Sequence, residues 1–484
     1  MYVDSIATPE PQPQAYNLLQ PGFAPAFNPR ESDMDWSTLL NKRRLGDRAA
    51  KDERGRTAFI RDHDKIIFSG AFRRLARKTQ VHPLATNDHV HNRLTHSLEV
   101  SCVGRTLGIR VGERLEQQRL LPRDTNPTDL GDIVQSACLA HDIGNPPFGH
   151  TGERAIRAWF GERGKHYLQE LAPEQASDLA IFEGNAQGFR ILTKSEYHQY
   201  DDGMRLTYAT LAAFLKYPWL SATGQQPSCP RPGKYSTFVA EAAAFREVVS
   251  ATGLVQESED VFARHPLAYL VEAADDFCYA IIDLEDGLEM DLLHWDEVHA
   301  LLSPVIPDND EVRTLLHSDV RVGRRAALLR GKIIERFIEA GVEAFMANHD
   351  RLLAGKLHGD LISHCEPAVR DVVENAKQLA RTKVFEHPRK VELEIGAFEV
   401  IGKLLDGLIE AAASHARGDQ SNFRHQRIID LIGRHSFPPN LDELPAQERM
   451  YQCMMRALDF LSGMTDDYAT YLAKQFSGMA VTRY

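Results

Sequence analysis

The stretch IVQSACLAHDIGNPPFGHTGE, residues 133–153, contains the strongest indication of the fold. Its first residues are apolar or small at helical spacing, which predicts a helix that runs up to His141. The glycines and prolines between 144 and 149 then end this helix and bend the chain sharply. A second helix is expected from His150 onward. The stretch therefore predicts two helices joined by a turn that carries polar residues.

Helical periodicity continues through most of the chain. One apolar stripe, which precedes the quoted stretch, consists of Val100, Val103, Leu107, Val111 and Leu115. Further amphipathic helices are predicted over Arg325–Ala347, Ile395–Ala413 and Arg449–Phe476. Alternation typical of strands is scarce. The sequence therefore predicts an all-α protein.

Three parts of the chain are predicted, the first of them from composition. Residues 1–33 are rich in Pro, Gln and Asn without periodicity, which predicts a disordered extension. Residues 34–300 are predicted to form a helical core, and residues 301–484 a C-terminal helical region packed on that core. Within the core, Tyr217–Ser236 is rich in Pro, Gly and Ser and predicts a long loop.

Overall charge argues against a surface built to hold nucleic acid. The 484 residues include 56 Lys and Arg against 68 Asp and Glu, a formal net charge of -12. The six cysteines are scattered, so neither a disulfide framework nor a zinc ribbon is indicated. No apolar run reaches membrane-spanning length, and the N-terminus lacks the order of a signal peptide. A cytoplasmic protein is expected.

A metal site is indicated by the pair His141-Asp142 together with His96. His96 stands one turn before the apolar stripe, and antiparallel packing of the two helices would bring it to the pair at the end of the next helix. A mixed set of imidazole and carboxylate ligands suits Mn, Fe, Mg or Zn. His96 alone would more often be a satisfied core or cap residue than a ligand, and for the His141-Asp142 pair alone a helix-terminal cap is as ordinary an explanation as a metal.

The segment EAADDFCYAIIDLEDG, residues 272–287, supplies the fourth candidate ligand. Adjacent carboxylates in an apolar helix are costly to bury unless something pairs with them. At about 100° per residue, Asp275, Tyr279 and Asp283 share one face, whereas Asp276 points about 100° away. We therefore expect Asp275 to bind the metal, and Tyr279 and Asp283 to follow along the pocket wall. A core aromatic and a surface acid are the alternative for the last two.

His150 and Glu153 form a candidate proton-transfer pair. Their i, i+3 spacing places them on one face of the second helix, where the carboxylate can orient the imidazole. Glu153 can equally be a first-turn acid that complements the helix dipole. Upstream, the basic segment Arg73–Lys78 with Arg93 suits a polyphosphate pocket or, less specifically, a solvated helix face.

Longer strings resemble the deoxyguanosine triphosphate triphosphohydrolase family of HD-domain phosphohydrolases. The similarity runs from about residue 35 to SGMTDDYA (462–469). The strings are RDHDKIIFSGAFRRLARKTQVHPL (61–84), HNRLTHSLEV (91–100), HDIGNPPFGHTGE (141–153), FEGNAQGFRIL (182–192), LKYPW (215–219) and EAADDFCYAIIDLEDG (272–287). A His-Asp pair alone is a weak signal, whereas GNPPFGHTGE with FEGNAQ and EAADD is specific.

The resemblance implies an HD-domain helical core and a role for each matching residue. It implies that His96, His141, Asp142 and Asp275 hold the metal and that His150 and Glu153 are catalytic. The implied substrate contacts are Gln80 and Asp283 at the deoxyribose, Tyr279 against the sugar or base, Arg93 at the α-phosphate, and Lys216 and Tyr217 at the outer phosphates. Lys234 is a further suggested phosphate contact.

The resemblance also implies the reaction. We expect hydrolysis of a deoxynucleoside triphosphate, dGTP above others, to the deoxynucleoside and inorganic triphosphate. The alternatives are an HD-type phosphodiesterase or nucleotidase acting on a deoxynucleoside monophosphate or single-stranded DNA, and a nucleotide-sensing protein without catalysis. The expected cofactor is Mn or Mg, with Co, Fe or Ni as other choices. By the same family analogy, a homo-oligomer is expected, with a hexamer favoured, and a dNTP or single-stranded DNA is a possible effector.

Overall fold

The computed structural model describes residues 33–46, 55–80, 90–196, 203–223, 233–306, 309, 312, 314 and 322–479. Apart from Asp33, the predicted N-terminal extension lies outside these residues, as does the middle of the loop predicted for Tyr217–Ser236. The described chain is helical apart from one two-stranded sheet, so the prediction of an all-α fold is confirmed. From Asp33 onward it forms one compact unit.

The helices and strands are numbered here in chain order. The helices are α1 Trp36–Leu39, α2 Ala58–Ile67, α3 Gly70–Arg74, α4 Arg93–Gln117, α5 Pro127–Ala140, α6 Gly149–Gly161, α7 Lys165–Leu168, α8 Pro173–Ala180, α9 Gly184–Arg190, α10 Tyr208–Phe214, α11 Ala242–Ala251, α12 Pro266–Glu289, α13 Trp295–Leu302, α14 Val322–Ala347, α15 His349–Leu353, α16 Pro367–Ala380, α17 Pro388–Ala416, α18 Phe423–Ile432, α19 Ala446–Ser462 and α20 Asp466–Phe476. Strands β1 Gln256–Ser258 and β2 Val261–Phe262 pair antiparallel. None of the described helices has both the length and the apolar character that a membrane span requires.

Helices α4 and α5 pack antiparallel at close range because glycines of α4 face α5. A β-carbon at Gly112 would lie 2.7 Å from the Cα of Pro127, at the beginning of α5. One at Gly104 would lie 2.5 Å from the Sγ of Cys138, near the end of α5. The first turn of α4 therefore meets the last turn of α5, which is where the two predicted histidine ligands stand.

The core consists of two hydrophobic clusters. The first runs through α4, α5, α12, α14 and α16, and it includes the apolar stripe predicted over residues 100–115, all of it buried. The second joins α6 and α8 to the C-terminal helices α17, α19 and α20. Both clusters include residues from either side of position 300. The division into 34–300 and 301–484 stays a prediction.

The helix predicted over Arg449–Phe476 is two helices. Helix α19 ends at Ser462, and α20 begins at Asp466. Gly463 follows the last turn of α19, and the Thr465 side chain caps α20 by accepting a hydrogen bond from the N–H of Tyr468.

Candidate active site

The four predicted metal ligands come together where α4, α5 and α12 meet. The ring centroids of His96 and His141 are 5.5 Å apart. Asp275 of α12 places its Oδ1 3.0 Å from Nε2 of His96 and 3.6 Å from Nε2 of His141. Asp142 places its Oδ2 3.7 Å from the same His141 nitrogen. Two imidazoles and two carboxylates therefore face one point.

Neighbouring groups orient these side chains. Nδ1 of His141 lies 2.6 Å from the carbonyl oxygen of Cys138, so a proton on Nδ1 is donated there and Nε2 turns toward the carboxylates. Asp142 accepts a hydrogen bond from Nη1 of Arg93 at 2.6 Å. Burial alone raises the pKa of the Asp142 carboxyl, but the charges of Arg93 and His141 outweigh it and lower the pKa to about 2.

This group of side chains fits a divalent cation. His96, His141 and Asp142 each offer a ligand atom, and the three atoms lie within 4.8 Å of one another. Asp275 adds a second carboxylate in contact with both imidazoles. Nitrogen and oxygen donors in this mixture suit Mn, Fe, Mg or Zn, and a cation would compensate the charge of the two buried carboxylates.

His150 and Glu153 form a hydrogen-bonded pair at the start of α6. Nδ1 of His150 lies 3.2 Å from Oε2 of Glu153, and the side chains are 73% and 5% exposed. Oε1 of Glu153 accepts from the N–H of Gly184 at 2.8 Å, and Nζ of Lys234 lies 3.8 Å from Oε2. Burial opposes ionisation of Glu153, but the contacts with His150 and Lys234 lower its pKa to about 2. An ionised Glu153 can therefore orient the exposed imidazole.

Two cavities meet over these groups. The first encloses about 410 Å³ and the second about 340 Å³. Both are lined by His141, Asp142, His150, Asp275 and Tyr279. The ligand cluster and the exposed histidine therefore lie at the junction of two spaces, each large enough for part of a nucleotide.

The predicted substrate contacts divide between the cavities. Gln80 and Arg93 line the first cavity, Lys216 and Tyr217 line the second, and Tyr279 lines both. Oε1 of Gln80 and Nε of Arg93 are buried with no hydrogen-bond partner among the described residues. Because unsatisfied buried polar atoms are costly, these two atoms are suited to hydrogen-bond with a ligand in the first cavity.

Lysines give the second cavity its cationic wall. Each of three lysines forms an ion pair with a carboxylate. The shortest distances from Nζ to a carboxylate oxygen are 3.3 Å for Lys216 with Glu272, 2.8 Å for Lys234 with Glu183 and 2.7 Å for Lys377 with Asp276. Sequence reasoning suggested Lys234 and missed Lys377. Asp276, which the helical angle puts about 100° from Asp275, also lines the second cavity, because this cavity extends around that side of α12.

Asp283 lies behind the pocket wall. Asp283 is only 1% exposed, and within the described part of the chain it lines neither cavity. The carboxyl hydrogen-bonds to Tyr279 through one oxygen, while Oδ2 has no partner among the described residues. Burial raises its pKa well above the usual range, and the nearby Asp286 adds to this effect. Asp283 therefore contacts the pocket through Tyr279, and a direct sugar contact stays a prediction.

The basic segment Arg73–Lys78 does not form a polyphosphate pocket. None of its cations lines either cavity in the described part of the chain. Arg74 pairs with Glu196 at 3.4 Å and Arg77 with Asp467 at 3.3 Å, while Lys78 is buried against backbone carbonyls. The interpretation as a phosphate pocket is therefore wrong for these residues, although Arg93 does line the first cavity.

The outer wall of the first cavity comes from residues that no motif indicated. Phe385 stacks on Tyr279 with ring centroids 5.8 Å apart and planes 4° apart. Arg154, Lys390 and Glu394 line the same cavity. An aromatic surface with charged groups beside it suits a flat heteroaromatic ligand.

Replacing Gly144 with alanine is expected to destabilise the protein. A β-carbon there would lie 2.1 Å from both the carbonyl oxygen of Gly184 and the nitrogen of Gly188, so α9 would have to move. We expect the free energy of unfolding in urea to fall by about 1–3 kcal/mol, the usual cost of overpacking. Gly161→Ala is the control, because nothing lies within 4 Å of its added carbon. An equal loss in both variants would contradict the steric explanation.

Comparisons with known proteins agree with this geometry. An HD domain matches residues 93–193, which include His96, the His141-Asp142 pair, His150 and Glu153. A deoxyguanosinetriphosphate triphosphohydrolase-like protein of Pseudomonas aeruginosa (strain LESB58) is 50% identical over 449 residues, covering 92% of this chain and 99% of the relative. A protein of the same description from Synechocystis sp. is 37% identical, covering 93% of this chain and 100% of its own. The deoxyguanosinetriphosphate triphosphohydrolase of Enterobacter sp. (strain 638) is 30% identical, covering 85% and 92%. The chain therefore belongs to the deoxyguanosinetriphosphate triphosphohydrolase-like family of HD-domain hydrolases.

Proposed function

We propose that this protein is a metal-dependent deoxynucleoside triphosphate triphosphohydrolase. The observation that carries the proposal is the junction of the two cavities. A cluster of nitrogen and oxygen ligands lies there, with lysines on one side and an aromatic wall on the other. A nucleoside triphosphate has the matching parts, a polyanion joined to a flat base.

The metal is assigned to His96, His141, Asp142 and Asp275. A divalent cation, when bound there, supplies Lewis-acid polarisation of a phosphoryl group and acidification of a water molecule. Mn or Mg is our first choice, and Co, Fe or Ni are the others. Asp142 is held toward the cluster by Arg93, which also faces the first cavity and can contact the phosphate nearest the sugar.

The triphosphate is assigned to the second cavity. Lys216, Lys234 and Tyr217 line it, and Lys377 adds a further cation. Burial opposes the charge on Lys216, but Glu272 and Tyr217 outweigh it and raise the pKa of the ammonium, which therefore stays protonated. Phosphate oxygens can share these lysines with the carboxylates that hold them in place.

The proton transfer is assigned to His150. Water attacks the α-phosphorus, the bond from phosphorus to the 5′ oxygen breaks, and the departing oxygen takes a proton. His150 lines both cavities, and its Nδ1 is held by Glu153, which leaves Nε2 available to donate that proton. The products are the deoxynucleoside and inorganic triphosphate.

The nucleoside is assigned to the first cavity. We assign Tyr279 and Gln80, which line this cavity, to the sugar, where close packing would disfavour a 2′-hydroxyl, and Asp283 supports Tyr279 through their hydrogen bond. The aromatic pair Tyr279 and Phe385 suits the base. Guanine is the proposed base because deoxyguanosinetriphosphate appears in the names of the relatives.

Product analysis tests the proposal. The purified protein is incubated with each dNTP, each NTP, dGMP and short single-stranded DNA, with MnCl₂ or with EDTA. We expect deoxyguanosine and triphosphate from dGTP with MnCl₂, and neither product with EDTA. Release of dGMP with pyrophosphate would contradict the proposed bond cleavage. Turnover of dGMP or DNA in preference to dGTP would support the phosphodiesterase or nucleotidase alternative.

Assembly and regulation are proposed on family analogy alone. We propose a homo-oligomer, with a hexamer as the favoured form, whose turnover responds to a second dNTP or to single-stranded DNA. Light scattering measures the mass of the particle, and assays with dNTP mixtures or added oligonucleotide measure the response. A monomer with unchanged turnover in every mixture would contradict both parts.

A further inference from the structure

Asp466 links the C-terminal helices to two segments of the active site. It is the first residue of α20 and is 2% exposed. Its Oδ1 accepts from the N–H of Phe148 at 2.9 Å. Its Oδ2 accepts from the N–H of Thr79 at 3.0 Å and from the Thr79 hydroxyl. Phe148 precedes the helix that carries His150, and Thr79 precedes Gln80.

The Phe148 contact falls on an unusual piece of backbone. Phe148 has φ +63° and Gly149 has φ +57°, so two consecutive left-handed residues precede His150. A left-handed conformation is uncommon for a residue with a side chain and persists where surrounding contacts enforce it. Gly149 also packs closely, because a β-carbon there would lie 2.4 Å from Nη2 of Arg93. The bond from Phe148 to Asp466 is therefore one of the contacts that fix where α6 begins.

Lys78 holds the other end of the same turn. Its buried ammonium donates to the carbonyl oxygen of Asn145 and to that of Ser462, each at 2.6 Å. Ser462 is the last residue of α19, four positions before Asp466. The junction between α19 and α20 therefore holds one end of the turn formed by residues 145–148 directly, through Asp466, and the other end through Lys78.

Helix α19 also supports the partner of His150. Asp459 accepts from the Arg190 guanidinium at 2.7 and 2.9 Å and from Nε2 of Gln187 at 2.9 Å, both on α9. The first residue of α9, Gly184, donates its N–H to Glu153. The C-terminal helices thus hold the backbone beneath both members of the His150 and Glu153 pair.

We propose that Asp466 is a positioning residue for His150. The inference rests on the proposed function, since it assigns His150 the proton transfer. Asp466 lines neither cavity as the described residues define them, so it acts through Phe148 and the start of α6. Capping of α20 does not explain its burial, because Thr465 caps that helix. Helices α19 and α20 therefore help to hold the active-site backbone in place.

Three variants test the proposal. Asp466→Ala removes every acceptor, and Asp466→Asn keeps the volume but offers only one acceptor oxygen to the two segments. Asp467→Asn is the matched control, because Asp467 is the next residue and its side chain is 55% exposed beside Arg77. We expect kcat for triphosphate release to fall about 10- to 100-fold in Asp466→Ala, less in Asp466→Asn, with KM nearly constant, because small displacements of a reacting group cost about this much. Asp467→Asn should match the unmodified protein.

A double-mutant cycle separates positioning from general loss of structure. In a His150→Ala background, Asp466→Asn should lower kcat no further, because the group that it positions is already gone. An equal fold-loss in both backgrounds, or full kcat in both Asp466 variants, would overturn the proposal.

Hydrogen exchange gives a readout that needs no turnover. Amide exchange of Asn145 and of residues 148–150 should accelerate in Asp466→Asn and stay unchanged in Asp467→Asn. If the unmodified protein releases no triphosphate from any dNTP, the proposed function fails, while this measurement still decides whether Asp466 holds the turn. Unchanged exchange in Asp466→Asn would overturn the positioning role even in an active enzyme.

Discussion

Replacing Asp275 with asparagine is expected to abolish divalent-cation binding and nearly all turnover. Asparagine keeps the shape of the side chain but loses the charge that faces Nε2 of His96 at 3.0 Å and Nε2 of His141 at 3.6 Å. Because a bound metal contributes several kcal/mol to phosphoryl transfer, we expect kcat to fall about 1,000-fold or more. Calorimetric titration of the metal-stripped protein with MnCl₂ measures binding, and triphosphate release measures turnover.

Asp276→Asn is the matched control for this substitution. Asp276 is the adjacent carboxylate on α12, and it pairs with Lys377 at 2.7 Å. We expect its replacement to leave Mn²⁺ affinity unchanged and to alter KM, because Lys377 loses the group that holds it. If Asp276→Asn loses Mn²⁺ as completely as Asp275→Asn does, the ligand has been assigned to the wrong aspartate.

Helical periodicity was sufficient to predict the fold class, and the glycines and prolines between 144 and 149 predicted the turn after His141. Periodicity reports which face of a helix is buried, and the stripe from Val100 to Leu115 is buried as predicted. It does not report how closely two helices approach. The glycines at 104, 108 and 112 determine that distance between α4 and α5, and their spacing was visible in the sequence. The amphipathic pattern also continues past Ser462, and it therefore predicted one helix. In the structure, Gly463 follows the end of the first helix and Thr465 caps the start of the second.

In the candidate site, helical-wheel angles predicted correctly only some of the α12 side chains that line the cavities. The angle of about 100° per residue placed Asp275 and Tyr279 on one face, and both line the cavities. The same angle placed Asp283 in line along the pocket wall, yet it lies behind Tyr279, and the angle of Asp276 relative to Asp275 did not indicate that the second cavity extends to Asp276. A wheel gives directions around one helix, whereas the depth and width of a cavity depend on the neighbouring helices.

Charge composition was the weakest guide. Lys78 stands in the most basic segment of the chain, but its ammonium binds two backbone carbonyls away from the cavities. Lys377 stands in an ordinary amphipathic helix and lines the second cavity. Long-range packing decides which cationic side chains line a cavity. The local sequence around a lysine does not indicate this packing.

Replacing His150 with alanine is expected to lower kcat by about 100- to 10,000-fold, the usual contribution of a general acid. The ligand cluster is left intact, so Mn²⁺ affinity should not change. Because triphosphate binding is assigned to the lysine wall, KM should change little. Calorimetry and initial rates measure these quantities. His166→Ala is the control, since His166 is exposed on α7 with its ring against Tyr167.

The exposure of His150 allows a sharper test of its role. Because its side chain is 73% exposed, removing the ring leaves a space that is open to solvent. Added imidazole can enter that space beside Glu153 and donate the proton in place of the missing ring, so it should restore part of kcat in His150→Ala. It should restore nothing in Asp275→Asn, where the loss is a metal ligand. Full turnover of His150→Ala without imidazole would reject the assigned proton transfer, and equal rescue of both variants would show that imidazole acts elsewhere.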